Sequence, residues 1–305
     1  MAREKIVFIV GPTAVGKSKV ALEVASFLPA EIVSCDSMQV YRGLNVASNK
    51  PSPEEFKRIP HHLIDIVSVE EEFDVARYNS LALEAIFQIH SRRKLPLVVG
   101  GSGMYMQILL DGIFQGPGKD EELRRDLKSR AQQQGVESLY QELEKLDPVA
   151  ASKIHPQDTR RMVRALEVCY LTKQPISEMQ KNRSGVWEKC DVKVFGINCA
   201  RENLYHRIDN RVEDMFQRGI VEEIRAVQNQ KLTSTARALI GVKEVQGYLA
   251  GEYNLDQAKY LMKLNTRHLA KRQLTWFRRE KRIQWFEMGL QDSAATLAQK
   301  IVKEI

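Results

Sequence analysis

An eight-residue segment, GPTAVGKS at positions 11–18, constrains the fold of this chain more than any other stretch. It follows the apolar run KIVFIV and leads into KVALEVASFL, which predicts a loop between a buried strand and a helix. The G-x-x-x-x-G-K-S spacing is that of a phosphate-binding loop, whose glycines let backbone N–H groups point into one concavity at a helix N-terminus. Lys17 supplies a full positive charge, and the Ser18 hydroxyl can ligate Mg²⁺. The flanking strand and helix favour a phosphate site over a glycine-rich turn without a ligand.

The loop does not reveal how many phosphates it holds. Most proteins that use a triphosphate in such a loop carry an acidic residue at the end of a later apolar strand, where it organises Mg²⁺. Here the candidate strand LPLVVGG ends in Gly100 and Gly101 without a carboxylate. This argues mildly against ordinary triphosphate hydrolysis.

Short β-branched runs alternate with helix-length segments in the first third of the chain, which predicts a parallel sheet wrapped by helices, an α/β fold. Asp74 can cap a helix that continues to about His90. From Asn203 onward the pattern is mostly helical. The predicted strands are 6–10, 31–35, 62–67, 96–100 and 192–198.

Residues 114–188 break this alternation with polar helical segments, which predicts a helical insertion domain within a core formed by 1–113 and 189–305. Asp147 with Pro148 forms an N-cap and first-turn pair, and Asp158 can cap the helix that follows it.

The charge distribution favours an anionic partner. The 305 residues carry a net charge of +7, and positions 259–282 contain nine Lys or Arg residues and one acid. No stretch approaches the roughly 18 apolar residues that span a membrane, and the N-terminus has no signal-peptide cleavage site. The four cysteines show no paired spacing, which argues against a disulfide framework or metal site and predicts a cytoplasmic protein.

Asp36 stands just beyond the predicted second strand. Ligands of open parallel sheets bind at the carboxyl ends of the strands, so Asp36 would face the same crevice as Lys17. There it could act as a base toward a nucleophile, but a helix cap or a magnesium ligand would occupy the same position.

Sequence segments distributed along nearly the whole chain resemble the tRNA dimethylallyltransferases, also called tRNA isopentenyltransferases. They are GPTAVGKS, DSMQVYRGLNVASNKPSPEE, IPHHLID, VVGGSGMY, DPVAASKIHPQDTRRMVRALEV, ALIGVKEV and LAKRQLTWFR. This chain departs from the family's sequence at two places that flank these motifs. NVASNKP replaces the usual glycine-threonine-alanine-lysine sequence, and Val242 stands where the family often has tyrosine. The resemblance implies a P-loop NTPase-like fold. The sequence shows no obvious extra apolar face, which favours a monomer.

The resemblance also implies a reaction. A dimethylallyl group would pass from dimethylallyl diphosphate to the exocyclic amine of an adenine beside the anticodon of a tRNA, with diphosphate leaving. Asp36 would be the general base, the Thr13 hydroxyl would donate to the bridging oxygen, and Arg211 would reach the diphosphate from a later helix. Mg²⁺ would bind at Ser18. The diphosphate-binding residues would be Gly11, Pro12, Thr13, Ala14, Val15, Gly16, Lys17 and Ser18.

The same resemblance implies contacts with the anticodon stem-loop. Trp276 and Phe277 could stack on unpaired bases or belong to the core, and the stripe Lys259, Lys263, Arg267 and Lys271 favours RNA over a solvated face. His61 and His62 have no further ligand at metal spacing and are expected to be structural. The implied RNA contacts are Asp36, Ser37, Met38, Gln39, Ser102, Arg124, Arg160, Arg161, Met162, Val163, Arg164, Lys271, Arg272 and Gln273.

Three other functions remain open. A small-molecule kinase would explain the N-terminal third but leaves the insertion and the basic C-terminal helix without a role. A transferase acting on free adenine nucleotides would need no extensive basic surface. A non-catalytic RNA-binding protein with a vestigial loop would tolerate replacement of Asp36 by asparagine.

Overall fold

The computed structural model describes residues 3–114, 116–289 and 292–305. Its strands are β1 (Lys5–Val10), β2 (Ala30–Ser34), β3 (His61–His62), β4 (Leu95–Gly100), β5 (Asp191–Asn198) and β6 (Ile283–Glu287). They form one parallel sheet in the order β3-β2-β4-β1-β5-β6. The α/β fold predicted from the strand-helix alternation is confirmed.

Helices make up most of the remaining chain. Those before the insertion are α1 (Lys17–Phe27), α2 (Pro53–Arg58), α3 (Val75–Ser91) and α4 (Gly103–Asp111). Next come α5 (Glu121–Gln134), α6 (Val136–Leu146), α7 (Pro148–Ala151), α8 (Thr159–Thr172), α9 (Ile176–Met179), a 3₁₀ turn (Gln180–Asn182) and α10 (Val186–Lys189). The last are α11 (Arg201–Gln217), α12 (Ile220–Val227), α13 (Ser234–Arg237), α14 (Val242–Leu249), α15 (Leu255–Phe277) and α16 (Ala294–Glu304). No helix in the described ranges is both long and apolar enough to cross a membrane.

The central strand β1 is buried on both faces, which explains its unbroken apolar sequence. Ile6, Phe8 and Val10 belong to one core cluster, whereas Val7 and Ile9 belong to the cluster on the other face. Side chains of a strand alternate between faces, and helices cover both faces of a parallel sheet, so every position must be apolar.

Two strands differ from the prediction. β3 spans only two residues because Leu63 and Asp65 adopt positive φ angles of 64° and 57°, which an extended strand cannot contain. β6 follows the basic helix in a region expected to be mostly helical. It pairs with β5, and the Phe286 ring packs edge-on against Phe195 at 5.7 Å. Pairing with a distant strand decides this element, and the local pattern does not show it.

The chain divides into two compact units. One comprises Met1–Leu110 with Val186–Ile305, and the other comprises Asp111–Gly185, against the expected boundaries of 114 and 188. The second unit has its own apolar core, which includes Leu127, Leu139 and Leu166.

Capping residues begin the helices where the sequence predicts. Asp74 accepts hydrogen bonds from the backbone N–H groups of Ala76 and Arg77. Asp147 accepts from Ala150 N at 2.9 Å, and Asp158 accepts from Arg161 N at 3.1 Å. Each satisfies donors that the first helical turn leaves without an intrahelical partner.

Candidate active site

The segment between β1 and α1 forms the loop that the sequence pattern predicts. Gly11, Ala14 and Gly16 have φ angles of 148°, 64° and 107°. A Cβ atom at Gly11 would lie 2.3 Å from the Ile197 carbonyl oxygen, so a larger residue cannot fit there. The positive φ angles turn the backbone into the concave path needed to surround an anion.

Lys17 lies at the N-terminus of α1, partly buried, and its Nζ donates to the Pro12 carbonyl at 2.7 Å. Burial lowers the pKa of Lys17 to about 8; Asp36 acts to raise this pKa and Arg211 acts to lower it. Burial also lowers the pKa of the Arg211 guanidinium, which Asp36 partly offsets. Lys17 therefore lies within electrostatic reach of both Asp36 and Arg211.

Asp36 follows the carboxyl end of β2 and is half-buried. Its Oδ1 accepts a hydrogen bond from Met38 N at 2.9 Å, which fixes the turn and orients the carboxylate. No second hydrogen bond to this carboxylate occurs within the described part of the chain. The other oxygen is therefore available to accept a proton or a hydrogen bond from a substrate.

The residues after Asp36 have different surroundings. Ser37 N donates to Ser102 Oγ at 3.2 Å, which joins this segment to the turn after β4. Met38 packs against the core, and the Gln39 amide is occupied by Ser34 Oγ and the Asn49 carbonyl. The predicted RNA contact therefore fits Asp36, Ser37 and Ser102, whereas the side chains of Met38 and Gln39 support the turn.

Charged side chains hold the segment that follows the turn, which contains the first departure from the family's usual sequence. Glu223 accepts hydrogen bonds from three consecutive backbone N–H groups at 45–47, at 2.6 to 2.8 Å. Buried Lys50 donates to the Tyr41 carbonyl at 2.6 Å and to Asp65 at 2.5 Å. Val242, the second departure, is fully buried in the core. Neither departure places its altered residues among the proposed catalytic groups.

Helix α11 places Arg207 against the phosphate loop and, four residues later, Arg211 within electrostatic reach of Lys17 and Asp36. Arg207 Nη1 donates to the Val15 carbonyl at 3.1 Å, whereas Arg211 has no hydrogen bond or ion pair within the described residues. The sequence prediction included Arg211 and missed the loop contact of Arg207. The only signal for it was the i, i+4 spacing, which also fits a solvated face.

Three of the four cations in the stripe on α15 form ion pairs with α11, through two carboxylates. Lys259 and Lys263 pair with Glu213 at 2.8 and 2.6 Å, and Arg267 pairs with Asp209 at 2.6 Å. This corrects the expectation that the whole stripe faces RNA, because three of its four members hold two helices together.

The C-terminal part of α15 keeps its charge. Lys271 and Arg272 are exposed, with no ion pair among the residues that the structure describes. Trp276 is 37% exposed and Phe277 is fully buried, so the two aromatic residues divide between surface and core. Gln273 points inward: Thr13 N donates to its Oε1 at 2.8 Å.

In the second unit, buried Glu167 binds two of the arginines predicted to contact RNA. Arg124 forms a two-pronged pair with it at 2.7 and 2.8 Å, and Arg164 approaches to 2.5 Å. The first and largest influence on the pKa of Glu167 is burial, which raises it, but hydrogen bonds from Arg124, Arg164 and Asp120 N leave it below its ordinary value. These arginines have a structural partner in the absence of RNA.

The neighbouring predicted contacts on α8 also need correction. The side chains of Met162 and Val163 are buried in the core of this unit and cannot contact RNA. Arg161 forms an i, i+3 pair with Asp158 at 3.2 Å. Arg160 is exposed and has no ion pair within the described ranges, so it remains the clearest RNA candidate on this helix.

The histidine pair has a structural role. His62 Nε2 lies 2.7 Å from a carboxylate oxygen of Glu31, which also pairs with Arg92 and Lys94 at 2.7 and 3.0 Å. Burial acts to raise the pKa of Glu31, but hydrogen bonds from these three partners lower it to about 2. The cluster lies at the start of β2, whereas Asp36 follows the end of that strand.

The protein supplies few ligands for a magnesium ion. No group of three or more His, Cys, Asp or Glu side chains suited to a metal occurs among the described residues. Ser18 is exposed at the start of α1, where its hydroxyl can supply one oxygen. This donor set fits an ion held mainly by phosphate oxygens and water, the usual arrangement for Mg²⁺.

Comparison with known proteins identifies the family. The family profile described as IPP transferase matches residues 39–280. The chain belongs to the IPP transferase family. Among its relatives, the tRNA dimethylallyltransferase of Geobacter sulfurreducens is 44% identical over 302 residues, covering 98% of this chain and 97% of the relative. That of Geobacter metallireducens is 45% identical, with 93% of each chain covered. The resemblance inferred from the motifs is confirmed.

Solved structures support the same assignment. The full-length tRNA isopentenylpyrophosphate transferase of Bacillus halodurans superposes with a TM-score of 0.73 at 38% identity, covering 99% of this chain and 95% of that chain. A eukaryotic dimethylallyltransferase acting on tRNA superposes with a TM-score of 0.79 at 31% identity, covering 97% of this chain and 75% of that chain. The predicted P-loop NTPase-like fold is thereby confirmed for this family member.

Proposed function

We propose that this protein transfers the dimethylallyl group from its diphosphate to the exocyclic amine of the adenine beside the anticodon of tRNA. The bond between the allylic carbon and the bridging oxygen breaks, a carbon–nitrogen bond forms, and diphosphate leaves. The observation that carries this proposal is a phosphate loop that holds Lys17, with the oriented Asp36 carboxylate and the Arg211 guanidinium within electrostatic reach of that lysine. Two cations suit a departing anion, and the carboxylate suits an amine that must lose a proton.

The phosphate loop stabilises the leaving group. Negative charge grows on the diphosphate as the carbon–oxygen bond lengthens, and preorganised donors lower the energy of that state more than that of the substrate. Lys17 and Arg211 contribute positive charge, and the backbone N–H groups of the loop contribute hydrogen bonds. The family resemblance assigns the Thr13 hydroxyl to the bridging oxygen, which gains negative charge as the carbon–oxygen bond breaks.

Asp36 acts on the nucleophile. The lone pair of an aromatic amine is delocalised into the ring, so the amine attacks weakly until a base takes its proton. A positioned base typically contributes about 10²–10⁴-fold to the rate. The hydrogen bond from Met38 N holds one oxygen of Asp36 in place, and the second oxygen accepts the proton.

The adenine reaches the site by leaving its stack, as bases do in other enzymes that modify them. Ser37 and Ser102 lie beside Asp36 and are placed to bind the extruded base or its neighbours. Lys271 and Arg272 on one unit, and Arg160 on the other, are exposed cations suited to RNA phosphates. Their contribution makes binding depend on salt, because each phosphate contact releases a counterion.

Magnesium is part of the proposal. The Ser18 hydroxyl would hold the ion together with oxygens of the diphosphate, and the ion would neutralise charge on the leaving group. A monomeric state and a cytoplasmic location also belong to the proposal. All four cysteines lie in the described ranges and are free, which agrees with a reducing compartment.

The decisive experiment is transfer of labelled dimethylallyl from its diphosphate to unmodified tRNA. We expect label in the wild-type tRNA and none when the target adenine is replaced by guanine. Parallel reactions contain labelled ATP with small-molecule acceptors, or free adenine nucleotides in place of tRNA. Phosphate transfer, or prenylation of the free nucleotide at the tRNA rate, would contradict the proposal.

A further inference from the structure

Gln273 joins two loops that approach the site from different strands. Its Oε1 accepts a hydrogen bond from Thr13 N at 2.8 Å, and its Nε2 donates to the Gly101 carbonyl at 3.0 Å. Thr13 belongs to the diphosphate loop after β1, and Gly101 belongs to the turn after β4. Both polar ends of one carboxamide are therefore occupied by backbone groups.

The turn at Gly101 and Gly103 leaves no space between itself and α15. A Cβ atom at position 101 would lie 2.4 Å from Gln273 Nε2, and one at position 103 would lie 2.2 Å from the Trp276 ring. The two glycines thus allow the helix to approach the backbone closely. Gln273 is held on one side by the turn at 101–103 and on the other by the diphosphate loop.

Ser102, between the two glycines, connects this turn to the segment that carries Asp36. Ser102 Oγ accepts a hydrogen bond from Ser37 N at 3.2 Å, next to Asp36. The turn therefore links the diphosphate loop, through Gln273, with the segment that carries the proposed base. Lys271 and Arg272, the exposed cations of the same helix turn, precede Gln273 directly.

We propose that Gln273 is a positioning residue for prenyl transfer, which holds Thr13 and the diphosphate loop in register with the turn at 101–103, and that it is not an RNA contact. This inference rests on the proposed function, since Thr13 matters there as the donor to the bridging oxygen. Glutamine suits the role because one neutral side chain both accepts from Thr13 and donates to Gly101. Methionine has the same length and neither hydrogen bond.

The test compares Gln273→Met with Gln257→Met. Gln257 lies on the same helix, but its side chain is exposed and makes no hydrogen bond within the described ranges. Calorimetry measures the Kd for inorganic diphosphate with Mg²⁺ and the Kd for an unmodified anticodon stem-loop. Single-turnover transfer at saturating substrates measures the chemical step. Thermal unfolding shows that each variant is folded.

Loss of two hydrogen bonds should weaken diphosphate binding and slow transfer in Gln273→Met by about tenfold or more. The Kd for the stem-loop should stay within about twofold of the wild type, since no RNA contact is removed. Gln257→Met should match the wild type in all three measurements. A stem-loop Kd that rises while diphosphate binding is unchanged would overturn the proposal in favour of an RNA contact. Unchanged values throughout would overturn it as well.

A second variant perturbs the same bridge from its other end. Gly101→Ala pushes against the flexible end of Gln273, so it displaces the carboxamide while leaving residue 273 in place. We expect it to weaken diphosphate binding as Gln273→Met does, and the double variant to be no worse than either, because residues acting as a unit are not additive. If the losses of diphosphate affinity in the two single variants add fully in the double variant, the proposed bridge through Gln273 is refuted. Diphosphate binding decides this question even if wild-type transfer to tRNA fails, so the two proposals are tested separately.

Discussion

Replacing Asp36 by asparagine tests the central chemical claim with little structural disturbance. The asparagine oxygen can still accept the hydrogen bond from Met38 N, so the turn after β2 is retained. The change removes one negative charge and the ability to take a proton. We therefore expect a folded protein that binds tRNA and transfers the prenyl group slowly.

Two effects contribute to the expected loss of transfer rate in Asp36→Asn. Loss of a positioned base lowers the rate by about 10²–10⁴-fold, equivalent to about 2.7–5.4 kcal/mol in the activation free energy. Loss of the Asp36 charge also removes an influence that raises the pKa of Lys17, which is already lowered to about 8. More of Lys17 will then be neutral at physiological pH, which acts to weaken diphosphate binding. At pH 6.5 Lys17 stays protonated, so the rate loss measured there reports the base alone.

Single-turnover transfer at pH 6.5 and pH 8, with saturating dimethylallyl diphosphate, separates these two effects. Asp74→Asn is the matched control, because Asp74 accepts a backbone N–H two residues ahead in the same way and asparagine caps helices equally well. The control should retain wild-type activity. A rate for Asp36→Asn within about threefold of the wild type at pH 6.5 would refute the assignment of Asp36 as the base.

Three further results are expected. Because the pKa of Lys17 is about 8, its protonated fraction, and with it the affinity for dimethylallyl diphosphate, should fall about fivefold between pH 8 and pH 9 in calorimetry, and Lys17→Arg should flatten this decline. The pKa of Glu31 is about 2 against an ordinary 4.5, so its stabilising contribution is present above pH 4.5 and lost as the pH falls through 2. Glu31→Gln should lower the free energy of unfolding, measured with denaturant at pH 7, by about 3 kcal/mol. It should also reduce the decline of that free energy at acidic pH. Lys271→Met should reduce the salt dependence of stem-loop binding by about one contact, whereas Lys263→Met, which removes a cation paired with Glu213, should change it little.

Elements with strong local signals were predictable from the sequence. The strands β1, β2 and β4, and β5 over 194–197, are buried, so their sequences are largely apolar at successive positions. Helices that begin at Asp74, Asp147 and Asp158 carry their capping residue at a recognisable place. β6 was missed because an edge strand of five residues gains its stability by pairing with β5, far away in the sequence.

The sequence predicted the phosphate loop of the site well and the partners of its charged side chains poorly, for a related reason. The phosphate loop depends on local backbone geometry, and a short pattern encodes that geometry completely enough to be recognised. The partners of long charged side chains depend on distant segments. Arg124 and Arg164 looked like free cations, yet both bind Glu167, and Met162 and Val163 between them in sequence lie in the core.

The amino-acid sequence alone determined the phosphate loop, the alternation that produces a parallel sheet, and the placement of Asp36 after a strand. All of these follow from interactions between residues close in the chain. Only the tertiary structure decided that Arg207 contacts the loop, that α11 forms ion pairs with three of the four cations in the stripe on α15, and that Gln273 points inward. A long polar side chain gives the same local signal whether water, RNA or a distant backbone group receives it, because its partner is chosen by packing of segments far apart in sequence.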